Sequence, residues 1–224
     1  MRARRLPGPL PPLSPEEAVR FLGPLAAALD HAHREGILHR DLKPSNVFLA
    51  DAGDAPLVPK LLDFGLARFA ESGPEAPLPA LPDAGNPADM PTIPFARRQA
   101  DGPPSRDAAL PTALTAAEGI VGTPQFFAPE LIQGTPPSRA IDLWAFGVLA
   151  YAGVTGTLPW TGPAPAVLAA IVDTPPDLPS RRCAALDPSL DEVLLAPLAS
   201  NPAHRPATAT AWIDSLEAAV RERA

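Results

Sequence analysis

The chain has 224 residues, 46% of them apolar, with a formal net charge of -7 and one cysteine. This length fits one domain, or one domain with a disordered segment, and the apolar content is enough for a buried core. The negative charge argues against nucleic acid or an anionic membrane as the main partner, and the single cysteine excludes an intramolecular disulfide and favours the reducing cytoplasm.

The most apolar run, residues 140–156, contains Asp142 and is too short to span a bilayer comfortably, so we expect no membrane partner. Residues 1–13 are rich in proline and arginine. They lack the apolar core of a secretion signal, and we predict that they form a flexible lead-in.

A first helix is predicted after Ser14, because a serine followed by Pro15 and two glutamates is typical of a helix N-terminus. Apolar residues then recur at intervals of four, three and four. They define one face that we expect to be buried: Ala18, Leu22, Leu25 and Leu29. Pro24 lies within this pattern and predicts a kink rather than an end. The helix is expected to stop near Gly36.

The eight residues 39–46 read HRDLKPSN and combine groups that suit phosphate chemistry. Asp41 can accept a proton from a hydroxyl, Lys43 can neutralise phosphate charge, and Asn46 offers an oxygen to a metal ion. Catalysis of phosphoryl transfer depends mostly on positioning and charge stabilisation, so these residues form a candidate site for that reaction.

Two short apolar runs, residues 47–49 and 60–62, predict a small β-hairpin. The tripeptide Asp63-Phe64-Gly65 follows directly, with a carboxylate at a strand end and a glycine that permits unusual backbone angles. Residues 71–118 differ in character, because ten of these 48 residues are proline and no periodicity persists. We predict a disordered insertion there.

Ordered structure is predicted to return at residues 122–130, which read GTPQFFAPE. Residues 142–147 (DLWAFG) begin a buried helix within the most apolar run. Short helices are expected at residues 164–172 and 190–198, and an amphipathic helix at residues 207–219.

Five motifs occur in the order and at spacings typical of the protein kinase family, which the chain resembles in its bacterial, eukaryotic-like serine/threonine form. They are residues 39–46, 63–65, 122–130 and 142–147, described above, and residues 201–206, which read NPAHRP. The resemblance covers residues 14–222 and is interrupted by residues 71–118, where the family carries its activation loop. It implies a mainly α fold, the kinase C-terminal lobe, built as a helical bundle with a small β-hairpin at the catalytic loop.

The resemblance also implies transfer of the ATP γ-phosphoryl group to serine or threonine hydroxyls of a protein substrate, with ATP and Mg²⁺ as cofactors. Asp41 would orient the hydroxyl and accept its proton. Lys43 would stabilise charge on the transferred group, and Thr123 would help to fix both side chains. Asn46 and Asp63 would bind Mg²⁺ between the phosphates.

Other motif residues receive structural or regulatory roles from the same resemblance: His39, Arg40, Phe64, Gly65, Glu130, Asp142 and Arg205. Glu130 and Arg205 are expected to form a buried ion pair. Arg40 is typical of kinases in which an activation-loop phosphate binds that arginine. Thr112 and Thr115 are candidate acceptors of such a phosphate, and ordinary loop residues are an equally good interpretation of both. His31, His33 and His204 are interpreted as structural.

The 38 residues before His39 contain no glycine-rich loop. The chain has two lysines, Lys43 in the loop motif and Lys60 in the run before Asp63. Neither corresponds to the strand lysine that binds phosphates in the family. The resemblance is therefore to the C-terminal lobe alone and predicts an incomplete ATP cleft. Three explanations remain open: an N-terminal lobe encoded upstream, a truncated relic, or a catalytically inactive, pseudokinase-like module. Such a module would bind a protein partner across the face that the missing lobe covers.

Overall fold

The computed structural model describes residues 12–62 without 53–54, residues 123–223, and the backbone of residues 3–5. All described residues belong to one compact unit. Within these ranges the fold is mainly helical and contains one small three-stranded sheet. The insertion predicted at 71–118, the tripeptide at 63–65, Thr112 and Thr115 all lie outside the described residues.

The first helix, α1, spans Pro15–Arg34 and begins at the predicted cap. The Ser14 hydroxyl accepts a hydrogen bond from the Glu17 backbone N–H at 3.2 Å, and the Glu17 carboxylate accepts one from the Ser14 N–H at 2.9 Å. This reciprocal capping box satisfies two N–H groups that a helix start otherwise leaves unbonded. The helix continues through Pro24, and its predicted apolar face is buried.

The sheet consists of β1 (Ala3–Arg5), β2 (Val47–Ala52) and β3 (Ala55–Leu61), with β2 in the centre and both pairings antiparallel. The predicted hairpin is present as β2 and β3. Val47 pairs with Leu61 across it, so the hairpin returns the chain to the end of the HRDLKPSN segment.

Within residues 1–13, for which a flexible lead-in is predicted, the structure describes the backbone of Ala3–Arg5 and residues 12 and 13. Ala3–Arg5 contains no proline, so its N–H groups can join a ladder, and it pairs with the edge of β2 that a two-stranded hairpin would leave open. At the other end of the segment, the Leu13 N–H donates to the Gly153 carbonyl at 2.8 Å. Backbone hydrogen bonds therefore hold Ala3–Arg5 and Leu13, and residues 6–11 between them lie outside the described residues.

The predicted buried helix is α3, Arg139–Thr155, which begins at the Ser138 cap and ends at Gly156 in the left-handed conformation, φ 72°. Most of its side chains are buried, and it forms the core of the unit. Trp144 stacks on Trp160 with ring centroids 5.5 Å apart. These contacts remove large aromatic surfaces from water and provide much of the hydrophobic stabilisation.

The remaining helices are shorter and surround this core: α2 (Pro129–Ile132), α4 (Ala164–Asp173), α5 (Pro179–Arg182), α6 (Asp191–Leu195) and α7 (Ala209–Arg221). The helix predicted at 190–198 is composite, because α6 is flanked by single 3₁₀ turns at Pro188–Leu190 and Ala196–Leu198. Among the described residues, no helix combines the length and the apolar content needed to cross a bilayer.

A buried carboxylate connects α7 to α1. Asp30 accepts hydrogen bonds from the backbone N–H groups of Ala209, at 2.9 Å, and Thr210, at 2.8 Å. These N–H groups belong to the first turn of α7, where a helix has unsatisfied donors and a partial positive charge. No sequence motif predicts this role of Asp30.

Gly147, in the middle of α3, allows close packing. A Cβ atom at this position would lie 2.8 Å from Pro197 Cγ and 3.1 Å from Leu198 Cδ2. We expect Gly147→Ala to lower the free energy of unfolding by about 1–3 kcal/mol, measured by urea denaturation, because the added methyl group overpacks this contact. If helix propensity alone decided the outcome, alanine would raise the free energy of unfolding relative to glycine.

Gly23→Ala in α1 is the matched control, because among the described residues no atom beyond its chain neighbours and its own helix backbone lies within 4 Å of the added Cβ. This change should leave stability unaltered or raise it by up to about 1 kcal/mol. Equal effects of the two substitutions would contradict the packing described for α3.

Candidate active site

The candidate catalytic loop, residues 39–46, lies between α1 and β2 and is held by Asp142 in the first turn of α3. The Asp142 side chain accepts hydrogen bonds from the backbone N–H groups of His39 and Arg40, each at 2.8 Å. The Nε2 atom of His33, on α1, lies 2.8 Å from Asp142 Oδ2. Asp142 is 1% exposed. One buried carboxylate therefore connects α1, α3 and the loop.

Arg40 adopts a backbone conformation that few non-glycine residues take, φ 63°. Such strain costs about 1–3 kcal/mol and persists only where the surrounding structure imposes it. Here the hydrogen bonds from the His39 and Arg40 N–H groups to Asp142 hold the backbone in this conformation. The strained turn delivers Asp41 to the surface while its neighbour His39 stays buried.

Asp41, Lys43 and Asn46 form one hydrogen-bonded cluster. The Lys43 Nζ lies 2.9 Å from Asp41 Oδ1 and 2.8 Å from Oδ2. The Asn46 Nδ2 donates to the Asp41 carbonyl at 2.7 Å and to its Oδ2 at 3.1 Å. The side chains of Asp41 and Lys43 are 27% and 24% exposed, so a reacting group from solution can reach them.

His39 links the loop to the end of β3. Its Nε2 lies 3.3 Å from the Leu62 carbonyl, and the Leu62 N–H donates to the Asn46 carbonyl at 3.0 Å. Burial lowers the pKa of His39, and the negative charge of Asp142 opposes this shift only in part. The predicted metal ligand Asp63 is the next residue after Leu62 and lies outside the described residues, as do Phe64 and Gly65.

Thr123 lies beside the loop, where it lines the same small cavity as Asp41 and Lys43. The 3₁₀ turn Pro124–Phe126 follows it directly. The structure thus brings together the three residues that the sequence analysis assigned to catalysis, although 80 residues separate Lys43 from Thr123.

Glu130 and Arg205 form a bidentate ion pair, with N–O distances of 2.6 Å and 2.8 Å. The Arg205 guanidinium also donates to the carbonyls of Ala140, at 2.8 Å, and Ala199, at 2.9 Å. It lies 4.9 Å from the Trp144 ring centroid, a cation–π geometry. These contacts join α2, α3 and the segment before α7.

His33 is predicted from the sequence to be structural, and no sequence pattern predicts its contact with Asp142. The two residues are 109 positions apart, and no local motif joins them. One signal was present, because His33 follows Leu29 by four positions and so continues the buried face of α1. A histidine on an otherwise apolar helical face needs a polar partner, and here that partner is Asp142.

Comparisons with known proteins agree with the geometry. The sequence model of the protein kinase domain matches residues 9–84 and 105–215 of the chain. Serine/threonine-protein kinase pkn3 of Myxococcus xanthus is 31% identical over 215 residues, which cover 95% of this chain and 33% of that protein. Serine/threonine-protein kinase Pkn1 of the same organism is 35% identical over 213 residues, 94% of this chain and 25% of that protein.

Serine/threonine-protein kinase PknB of Mycolicibacterium smegmatis is 30% identical over 199 residues, 88% of this chain and 25% of that protein. The chain therefore spans about a quarter to a third of the length of the curated relatives it matches.

Removing one partner of the buried Glu130–Arg205 pair should destabilise the unit. We expect Glu130→Gln to lower the free energy of unfolding by about 3–5 kcal/mol in urea denaturation, because the buried guanidinium then lacks a counter-charge. The double variant Glu130→Gln/Arg205→Met should lose less than the sum of the two single changes, because it leaves no unpaired buried charge.

Glu217→Gln is the control, because Glu217 pairs with Arg221 on the exposed side of α7, where the two side chains are 42% and 72% exposed. A surface pair of this kind contributes at most about 0.5 kcal/mol. A similar loss for Glu130→Gln and Glu217→Gln would show that the Glu130–Arg205 pair does not hold the helices together.

Proposed function

The chain belongs to the protein kinase family, and from this premise we propose that it transfers the γ-phosphoryl group of ATP to serine or threonine hydroxyls of proteins. The observation that carries the proposal is the cluster of Asp41, Lys43 and Asn46, held on a strained turn by Asp142. An inactive binding module has no need of this cluster, so we do not propose that function.

Asp41 is the proposed catalytic base. Its carboxylate accepts a hydrogen bond from the acceptor hydroxyl and takes the proton as the hydroxyl oxygen bonds to the γ-phosphorus and the bond to ADP breaks. Lys43 presents its ammonium group beside Asp41 and stabilises the negative charge of the transferred group. Thr123 lines the same cavity and restricts the positions that the two side chains can take.

Asn46 and Asp63 are the proposed Mg²⁺ ligands. The Asn46 Nδ2 group donates hydrogen bonds to the backbone carbonyl and to Oδ2 of Asp41. These two bonds orient the amide and leave the Asn46 Oδ1 atom available to a cation. An amide oxygen and a carboxylate suit Mg²⁺, which neutralises phosphate charge when it is bound. Within the described ranges no group of three or more His, Cys, Asp or Glu side chains could hold a metal. The proposal therefore depends on Asp63.

We further propose that residues 14–222 correspond to the C-terminal lobe of the kinase fold, with 71–118 inserted in the activation loop. The 224 residues include no glycine-rich loop, and their only lysines are Lys43 and Lys60. Those parts of the ATP cleft would have to come from outside these residues. The single cysteine suits action in the reducing cytoplasm, and the negative net charge suits a protein substrate rather than nucleic acid.

Calorimetric titration of the chain with Mg-ATP tests this proposal. We expect binding by the wild type and a loss of at least about tenfold in affinity for Asp63→Asn, because one ligand charge is removed. Asp41→Asn should still bind Mg-ATP, but it should not transfer labelled phosphate to a general protein substrate such as casein.

Asp214→Asn on the exposed side of α7 removes the same charge away from the loop and should behave as the wild type. Absence of Mg-ATP binding by the folded wild type would contradict phosphoryl transfer by these 224 residues alone. Measurable and equal phosphate transfer by the wild type and Asp41→Asn would contradict the role of Asp41 as the base.

A further inference from the structure

The segment between α4 and α5, residues 174–179, reads TPPDLP. Proline fixes its own φ at about −65° and disfavours a helical conformation in the residue that precedes it. Pro175 and Leu178 each precede a proline, so the sequence itself favours an extended polyproline II conformation here. Leu178 has φ −60° and ψ 129°, which lie close to the angles of that conformation.

The exposure of this segment follows the period of a polyproline II helix, which repeats every three residues. Residues 176 and 179 share one side of such a helix, and residues 175 and 178 share another. Pro179 is buried and Pro176 is half-buried, whereas Pro175 is exposed and Leu178 is 37% exposed. The segment therefore packs one ridge against the unit and presents a second apolar ridge, Pro175 and Leu178, to solvent.

Contacts with α3 and α5 hold the segment in place. The Tyr151 hydroxyl of α3 donates a hydrogen bond to the Asp177 carbonyl at 3.0 Å. Burial raises the pKa of Tyr151, so this hydroxyl stays protonated near neutral pH. The Arg182 guanidinium of α5 pairs with the Asp177 carboxylate at 2.6 Å. A segment that is ordered before it binds loses less conformational entropy on binding.

We propose that Pro175 and Leu178, together with Arg181, form a docking site for a partner protein that binds polyproline II helices in a groove of aromatic side chains with a carboxylate beside it. Aromatic-lined grooves bind the exposed ridge of such a helix. Arg181 is exposed three positions after Leu178, and its charge complements the partner's carboxylate. This interaction goes beyond the proposed phosphoryl transfer.

The docking site lies away from the candidate catalytic loop. Asp142, which holds that loop, is in the first turn of α3. Tyr151, which holds the docking segment, follows nine positions later, or about 14 Å further along the helix axis. A partner bound at the exposed ridge does not have to cover the cluster of Asp41, Lys43 and Asn46. The site therefore suits recruitment of a protein rather than blockage of the loop.

Isothermal titration calorimetry of the full chain with an isolated SH3 domain tests the inference. The SH3 domain is the probe because its groove is lined by aromatic side chains, and it is chosen to carry carboxylates beside that groove. We expect a Kd below about 300 µM for the wild type. Leu178→Glu and Arg181→Glu should each weaken binding by at least about tenfold. The first puts a charge against aromatic rings, and the second replaces attraction by repulsion.

Two control variants match these changes. Val58→Glu adds the same charge on β3 at a residue with the same 37% exposure, and Arg20→Glu reverses the charge of an exposed arginine in α1. Both should bind the probe as the wild type does. If Leu178→Glu fails to fold, the milder Leu178→Ala should still weaken binding by about threefold, because it removes apolar contact area.

Absence of wild-type binding at about 1 mM SH3 domain would overturn the inference. Binding that both Leu178→Glu and Arg181→Glu leave unchanged would do the same, as would binding that an excess of polyproline peptide fails to displace. Analytical ultracentrifugation covers another occupant. A wild-type dimer that dissociates in Leu178→Glu would show that a second copy covers the ridge, and this result too would overturn the inference.

Discussion

The Asp142 carboxylate is the constraint on which the rest of the site depends. Its burial removes a charge from water, which is tolerated only where hydrogen bonds compensate it. The compensation comes from His33 on α1 and from the backbone N–H groups of His39 and Arg40. Because these donors come from separate parts of the chain, satisfying one carboxylate fixes α1, α3 and the candidate catalytic loop relative to one another.

The arrangement of the candidate catalytic cluster, Asp41, Lys43 and Asn46, follows from this constraint. The left-handed turn at Arg40 directs Asp41 outward, and the shared hydrogen bonds with Lys43 and Asn46 then set the orientation of its carboxylate. The Glu130–Arg205 pair acts elsewhere, where it joins α2 and α3 to the segment before α7. Asp142 and the Glu130–Arg205 pair both place ionised groups inside the helical unit. In both cases several hydrogen-bonding partners compensate the buried charge, as burial requires.

Much of this architecture could be predicted from the sequence because its signals are local. The cap residues at Ser14 and the apolar face of α1 predicted the first helix, and the apolar run from residue 140 predicted α3. The order of the kinase-like motifs gave the candidate site residues, whose roles stay predictions. Contacts between distant residues gave no such signal. The β1 strand forms by pairing with the edge of β2, and His33 is bonded to Asp142. Asp30 accepts a hydrogen bond from the first turn of α7, 179 positions later in the chain. Pairing over such separations depends on the folded core and leaves little local pattern.

The most direct test of this account is hydrogen exchange at the His39 and Arg40 amides in wild type and Asp142→Asn. An asparagine presents only one acceptor oxygen to two N–H groups, so we expect exchange at one or both amides to accelerate by at least about tenfold. The amides of Ala209 and Thr210, which Asp30 holds, report any general loss of stability and should change little. Unchanged protection at both His39 and Arg40 would show that Asp142 does not hold the catalytic loop.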